Sequence, residues 1–170
     1  MNIDRATPDD VRAVAQIHVD AWRSAYAQIL PADYLASLSV EQCEAMWRKT
    51  VESGWPDLLV AKENGTLLGW VSFGACRDED APASQAEVWA INVAPSSWSK
   101  GVGRQLWSRA RELLRQQGYS SCSLWVFPEN ERAIRFYRSV GFVADTLPPR
   151  HFEFGSQQLL EVRYVCRIDG

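Results

Sequence analysis

No stretch of the 170 residues approaches the ~20 consecutive apolar positions that a bilayer-spanning helix needs. The first residues, Met1 to Arg5, lack the basic-then-apolar order of a secretory signal. No membrane partner is expected, and the cytoplasm is the default compartment. Histidine is scarce, with two in the chain, and the four cysteines (Cys43, Cys76, Cys122 and Cys166) are far apart without a Cys-x-x-Cys pair. Zinc-ligand spacing is therefore missing, no metal is expected, and the thiols read as buried and reduced. Basic charge is not in surplus: 18 Lys+Arg against 21 Asp+Glu give a net charge of −3, which argues against a nucleic-acid partner. Internal repeats and low-complexity tracts are absent as well.

What remains is the composition of a soluble globular protein, 46% apolar and 23% charged, of a length that suits one domain spanning residues 1–170. Tryptophan is abundant at eight residues. Its large apolar area and polar N–H suit both a core and an aromatic-lined pocket.

Along the chain, Asn2 to Arg5 reads as a strand. Thr7 reads as an N-cap, with Pro8 opening a helix to about Ala27 that carries Val11, Val14, His18, Trp22 and Ala25 on one stripe. Pro31 opens a short helix through Tyr34 and Leu38, and Ser39 with Gln42 suggests a capping box for a third helix ending near Gly54. Asn64-Gly65 between two apolar runs predicts a hairpin of Leu58 to Glu63 with Thr66 to Cys76. A strand from Ala86 to Val93, a helix from Gly101 to Gln117, a strand from Tyr119 to Phe127 and a helix from Asn130 to Val140 follow, with Gly118 and Gly141 as helix stops. Residues 145–157 are left without an element. The last strand alternates Leu160, Val162, Tyr164, Cys166 and Ile168 on one face with Glu161, Arg163 and Arg167 on the other, half-exposed face. This order predicts an α+β fold, helices packed about one mixed sheet with a single strand-helix-strand crossover.

The crossover carries the chemistry. Val93-x-Pro95 leads through a loop to Gly101-x-Gly103 at a helix start, where bare N–H groups and the positive dipole end form an anion site. Arg104-Gln105 after Gly103 is not the Lys-Ser/Thr of a Walker A loop, and Leu106 stands where a dinucleotide fingerprint needs its third small residue. The stretch instead resembles the pyrophosphate loop of the GNAT superfamily of N-acetyltransferases. The second motif of that superfamily follows as Asn130-x-x-Ala133-x-x-Phe136-Tyr137-x-x-x-Gly141-Phe142, so the resemblance covers about residues 86–145. It implies a mostly antiparallel central sheet flanked by helices with a central β-α-β crossover, and acetyl-CoA as the acetyl donor. It places the donor on Ile91 and Val93, on the loop Trp98, Lys100, Gly101, Val102, Gly103 and Arg104, and on Asn130 and Arg135. Trp98 departs from the Arg or Gln usual at its position, which implies altered phosphate contacts.

By the same resemblance Tyr137 would protonate the departing thiolate. A backbone N–H around Ile91 to Val93, at a bulge that splays two parallel strands, would hold the thioester oxygen. Chemistry asks for a base too, since an alkylamine of pKa ~10.4 is protonated at neutral pH. Glu87 is the candidate, and an exposed carboxylate at a strand start is the other reading. Trp22, Tyr26 and Tyr34 are candidates for the acceptor pocket, with a core stripe through His18 and Trp22 as the alternative. The expected reaction is acetylation of a small-molecule primary amine. Acetylation of a protein N-terminus or lysine, or non-catalytic acyl-CoA binding, are the alternatives, and a homodimer through the last strands is possible.

Overall fold

Asn64 and Gly65 both adopt positive φ, +50° and +80°, and the chain reverses there. In the computed structural model, which describes residues 1–154 and 156–168, that turn joins β2 (Asp57–Glu63) antiparallel to β3 (Thr66–Ala75). β1 (Asn2–Arg5) pairs with β2 on one side, and β4 (Gln85–Val93) pairs with β3 on the other. The chain then passes through α4 (Val102–Gln116) to β5 (Ser121–Val126), which lies parallel to β4. β8 (Gln157–Arg167) runs antiparallel to β5 and also carries β6 (Val143–Ala144) and β7 (Arg150–Phe154). The sheet order is β1-β2-β3-β4-β5-β8-β6, with β7 on β8 beside that path.

The helices divide between the two faces. Apolar side chains of α4 and of α5 (Glu131–Ser139), among them Leu106, Trp107, Leu114 and Phe136, pack with Val71, Phe73, Val88 and Leu124 on one face. The other face lies under α1 (Val11–Ala25) and α3 (Val40–Ser53), where Val14, Ile17 and Trp47 meet Val60 and Trp70. Trp70 is fully buried and its indole N–H donates to the carbonyl of Val14 at 3.1 Å. Burying such a ring removes roughly 200 Å² from water, worth on the order of 5 kcal/mol before entropy. A third cluster gathers Leu30, Leu35 and Phe127 with Trp22, Tyr26 and Phe152, beneath α2 (Ala32–Ser37).

Local chemistry explains the element ends. The backbone N–H and hydroxyl of Thr7 both donate to Asp10 Oδ2 at 2.9 Å, and Lys62 Nζ sits 2.5 Å from Oδ1. That arrangement winds Pro8–Asp10 into a 3-10 turn, so the α-helix proper starts at Val11 and stops at Ala25, short of the expected Ala27. Ser39 Oγ accepts from the backbone N–H of Gln42 at 3.3 Å, which is half of the expected capping box. β5 begins at Ser121 rather than Tyr119. β8 reaches back to Gln157, and β7 occupies part of the stretch left unassigned, because pairing with β8 creates that strand. All four cysteines are free thiols; Cys122 and Cys166 are buried as expected, whereas Cys43 and Cys76 are only half-buried.

Two irregularities position the site. The register between β3 and β4 slips by one residue, Ser72 facing Ala90 and Phe73 facing Val88, so Trp89 is the extra residue of a bulge. This is earlier than the expected Ile91 to Val93. Past it, β4 swings away from β5, whose parallel pairing covers only Gln85–Glu87 with Ser121–Ser123. Among the described residues, no helix is long and apolar enough to cross a membrane.

Candidate active site

The gap between β4 and β5 opens onto the first turn of α4. Gly101, at φ +82° and ψ −1°, is the N-cap and offers no side-chain cap, so the N–H groups of that turn are left bare. A cavity of about 520 Å³ sits over them, lined by Ile91, Val93, Trp98, Gly101, Val102, Gly103, Arg104 and Arg135 of the expected donor residues, and by Tyr137. Lys100 is exposed and lies outside this lining. A Cβ on Gly103 would stand 3.2 Å from the Phe136 ring, so glycine here also lets α4 and α5 pack closely. Arg104 reaches the end of α5, donating to the carbonyl oxygen and Oγ of Ser139 at 3.3 and 3.2 Å.

Trp98 and Arg132 form one unit. The Trp98 indole N–H donates to the carbonyl of Val93 at 2.8 Å, which fixes the ring in the cavity wall. The guanidinium of Arg132 lies 3.1 Å above the ring centroid. Arg132 Nη1 is buried without a hydrogen-bond partner, and burial lowers the pKa of the group. Arg132 lines both this cavity and the smaller one described below, so its positive charge stands beside the bare N–H groups of α4. Arg132 was not singled out from sequence; the signal available was a basic residue two positions after Asn130, entering the pocket helix.

Asn130 caps α5, its Oδ1 accepting from Ala133 N–H at 3.2 Å, and it lines a second cavity of about 100 Å³. Tyr137 lines both cavities and packs against Phe136 and Phe142 at ring distances of 5.3 and 5.8 Å. The smaller cavity also touches Tyr26, Asn92, Trp125 and Glu161. Burial pushes the Tyr137 phenol well above its ordinary pKa and that of Tyr26 up to about 12, where the charge of Glu161 adds to the shift.

Of the three acceptor-pocket candidates, Tyr26 alone lines this cavity. Trp22 stands behind it, 5.1 Å from Tyr26 and from His18, and Tyr34 packs edge-on to Phe154 at 4.4 Å. Both belong to the aromatic cluster around the chamber. Glu87 is not an exposed strand-start carboxylate: its side chain is 2% exposed. Its Oε2 accepts from the backbone N–H and Nε of Arg77 at 3.0 Å each, and Oε1 from Nη2 at 2.5 Å. Arg77 in turn lies 4.3 Å over Trp89. The structure brings Glu87 to neither cavity, and its carboxylate is fully engaged.

Known proteins agree with this architecture. The sequence model of the acetyltransferase (GNAT) family matches residues 13–142. A Bacillus subtilis (strain 168) protein named uncharacterized N-acetyltransferase YuaI is 32% identical over 163 residues, 95% of this chain and 90% of the relative. The L-amino acid N-acyltransferase MnaT of Escherichia coli (strain K12) is 28% identical over 150 residues, 88% of this chain and 84% of the relative. Among solved structures, the PaiA N-acetyltransferase of Thermoplasma acidophilum, in complex with coenzyme A, superposes with a TM-score of 0.77 at 19% identity, covering 98% of each chain.

Proposed function

Because this chain belongs to the acetyltransferase (GNAT) family and is an acetyl-CoA-dependent N-acetyltransferase, we propose that it acetylates a small primary amine by direct attack on the thioester. The observation that carries this reading is continuity. The 520 and 100 Å³ cavities share Ile91, Val93, Trp98, Arg132, Ala133 and Tyr137, so an anion site and a reacting centre lie in one groove.

The residues fit the donor. The bare N–H groups at the start of α4 supply hydrogen-bond donors for its diphosphate, and Arg132 adds a positive charge in the wall of the same cavity. Arg132, resting on Trp98, offers the charge that the position of Trp98 itself lacks. Acetyl-CoA brings the activated acyl group. Asn92 and the freed edge of β4 line the splayed end, where a backbone N–H can hold the thioester oxygen. Tyr137, kept protonated by burial, gives its proton to the departing sulfur. Tyr26 and the surrounding aromatic cluster wall the acceptor side, and a relative bearing the name L-amino acid N-acyltransferase supports a small amine there.

The test is a panel of primary amines, including amino acids, polyamines and alkylamines, assayed with acetyl-CoA by release of free thiol. Amine-dependent release supports the reading. Tight calorimetric binding of CoA without amine-dependent release from any panel member would make the protein an acyl-CoA-binding module instead.

A further inference from the structure

We infer that Glu161 is the carboxylate that takes the proton of the acceptor's ammonium group; this rests on the acetyltransferase reading above. Alternation along β8 puts Glu161 on the polar side of the strand, but the fold covers that side. Cross-strand register pairs Glu161 with Arg150 of β7, and its side chain is only 16% exposed. It lines the small cavity together with Tyr26, Asn92 and Tyr137, next to where the thioester must lie if Tyr137 protonates the sulfur.

The carboxylate is half engaged. Arg150 Nε and Nη2 both donate to Oε2, at 3.0 and 2.5 Å, whereas Oε1 accepts no hydrogen bond among the described residues. One oxygen is fixed, and the other is left with lone pairs for a substrate N–H. Glu87 differs, since Arg77 engages both of its oxygens away from the cavities.

The surrounding charges favour a cation. Facing Glu161 are Arg150 from β7, Tyr26 just past the end of α1, Arg132 and Tyr137 from α5, and Arg163 two residues further along β8. Arg163 is neutralised by Asp78 and Asp145 at 2.9 and 2.6 Å. Arg150 is spent on Glu161 and on the Trp125 ring, 4.6 Å away. Once Arg132 serves the donor's phosphates, the local balance is negative, and an ammonium group completes it.

The step balances. The ammonium loses one proton to Glu161 Oε1, which passes it to solvent. The free nitrogen lone pair forms the C–N bond while the C–S bond breaks. The sulfur takes the phenolic proton of Tyr137, which is restored by the second proton leaving the nitrogen.

The experiment compares wild type, Glu161→Gln, Glu161→Asp and Glu87→Gln, using the panel amine with the greatest thiol release, from pH 7 to pH 10. Folding is checked by thermal melting and the donor site by calorimetry with CoA. For Glu161→Gln the expectation is a fall in kcat/KM of about 10²-fold at pH 7 that shrinks to a few-fold near pH 10, where free amine no longer needs a base. CoA affinity should stay within about twofold, and Glu161→Asp should recover part of the rate. Wild-type activity in a folded Glu161→Gln protein, a deficit constant with pH, or the pH-dependent loss appearing in Glu87→Gln instead would each overturn the assignment. If wild type itself shows no amine-dependent release, the acetyltransferase reading fails and this one falls with it. If Glu161→Gln does not fold, Glu161→Asp decides: a loss at pH 7 that shrinks towards pH 10 supports the carboxylate, and a wild-type rate at every pH or a pH-independent loss overturns it.

Discussion

Replacing Tyr137 by Phe deletes one O–H and keeps the ring, and the structure lets the two consequences be separated. The phenol donates no hydrogen bond to protein among the described residues, and its aromatic contacts with Phe136 and Phe142 belong to the ring. Removing the hydroxyl therefore leaves no partner orphaned, and stability should change by under about 0.5 kcal/mol. The rate should not be spared. Burial holds the phenol above its ordinary pKa, so throughout pH 7–9 it is a loaded proton donor. Losing a positioned general acid costs about 10²–10⁴ when proton transfer limits the rate. With thiolate departure only partly limiting, kcat should fall at least about tenfold, roughly 1.4 kcal/mol of barrier, with CoA affinity unchanged. The assay is thiol release under saturating acetyl-CoA, with a melting curve alongside. A Phe variant that melts like wild type and keeps wild-type kcat across the pH range would make Tyr137 a packing residue and refute the argument.

Arg132→Ala should raise the Kd for CoA by about 10- to 100-fold, because charge-assisted hydrogen bonds contribute about 1.5–3 kcal/mol. The melting temperature of the ligand-free protein should hold or rise, since the variant removes a buried, unpartnered Nη1; unchanged CoA affinity by calorimetry would contradict this. Gly101→Ala should cost about 1–2 kcal/mol through its φ of +82° alone, as its Cβ meets open space, and a denaturant titration showing no loss would remove the strain argument. Gly103→Val should weaken CoA binding, and it should also destabilise the protein by forcing Phe136 aside, which the melting curve reports. His18 is neutral in the fold, its Nδ1 accepting from the Trp47 indole at 3.1 Å, and burial lowers its pKa from 6.5 to about 4. The unfolded chain thus binds the extra proton between those values. His18 therefore costs stability as pH falls from 6.5 towards 4, on the order of 2–3 kcal/mol at the acid end, and His18→Gln should flatten that part of the Tm–pH curve.

The parts of the fold set by local chemistry could be read from the sequence. Asn64-Gly65 dictates its turn, Gly118 and Gly141 stop their helices at positive φ, and the Gly101-x-Gly103 and Asn130 motifs line two cavities that share wall residues. What depends on pairing could not. β7 follows Pro148-Pro149, is only five residues long, and gains its identity from hydrogen bonds to β8. The bulge sits at Trp89 because of a register slip opposite Ser72 and Phe73, a relation between strands that neither strand displays alone. Glu161 alternates like a solvent-facing residue, and the end of α1, β5 and α5 close over that face to form the chamber. The burial of Glu87 was hidden in the same way, because its Arg77 partner lies ten positions away across a loop.

The three residue pairs that join β4 to β5 make the sheet two plates welded along a short seam. Beyond that seam the two halves are held by the core under α4 and α5, where Val71, Phe73 and Val88 meet Leu124 and Tyr164. The width of the mouth is then the opening angle at the weld, magnified with distance from it. Ser121, Cys122 and Ser123 line neither the 520 nor the 100 Å³ cavity, so a substitution there reaches the mouth only through the angle at which β4 and β5 part. Conversely, the β7–β8 hairpin and the turn after α1 hang at the free ends of the plates, where their side chains can be exchanged for a different guest without touching the weld or the glycine loop.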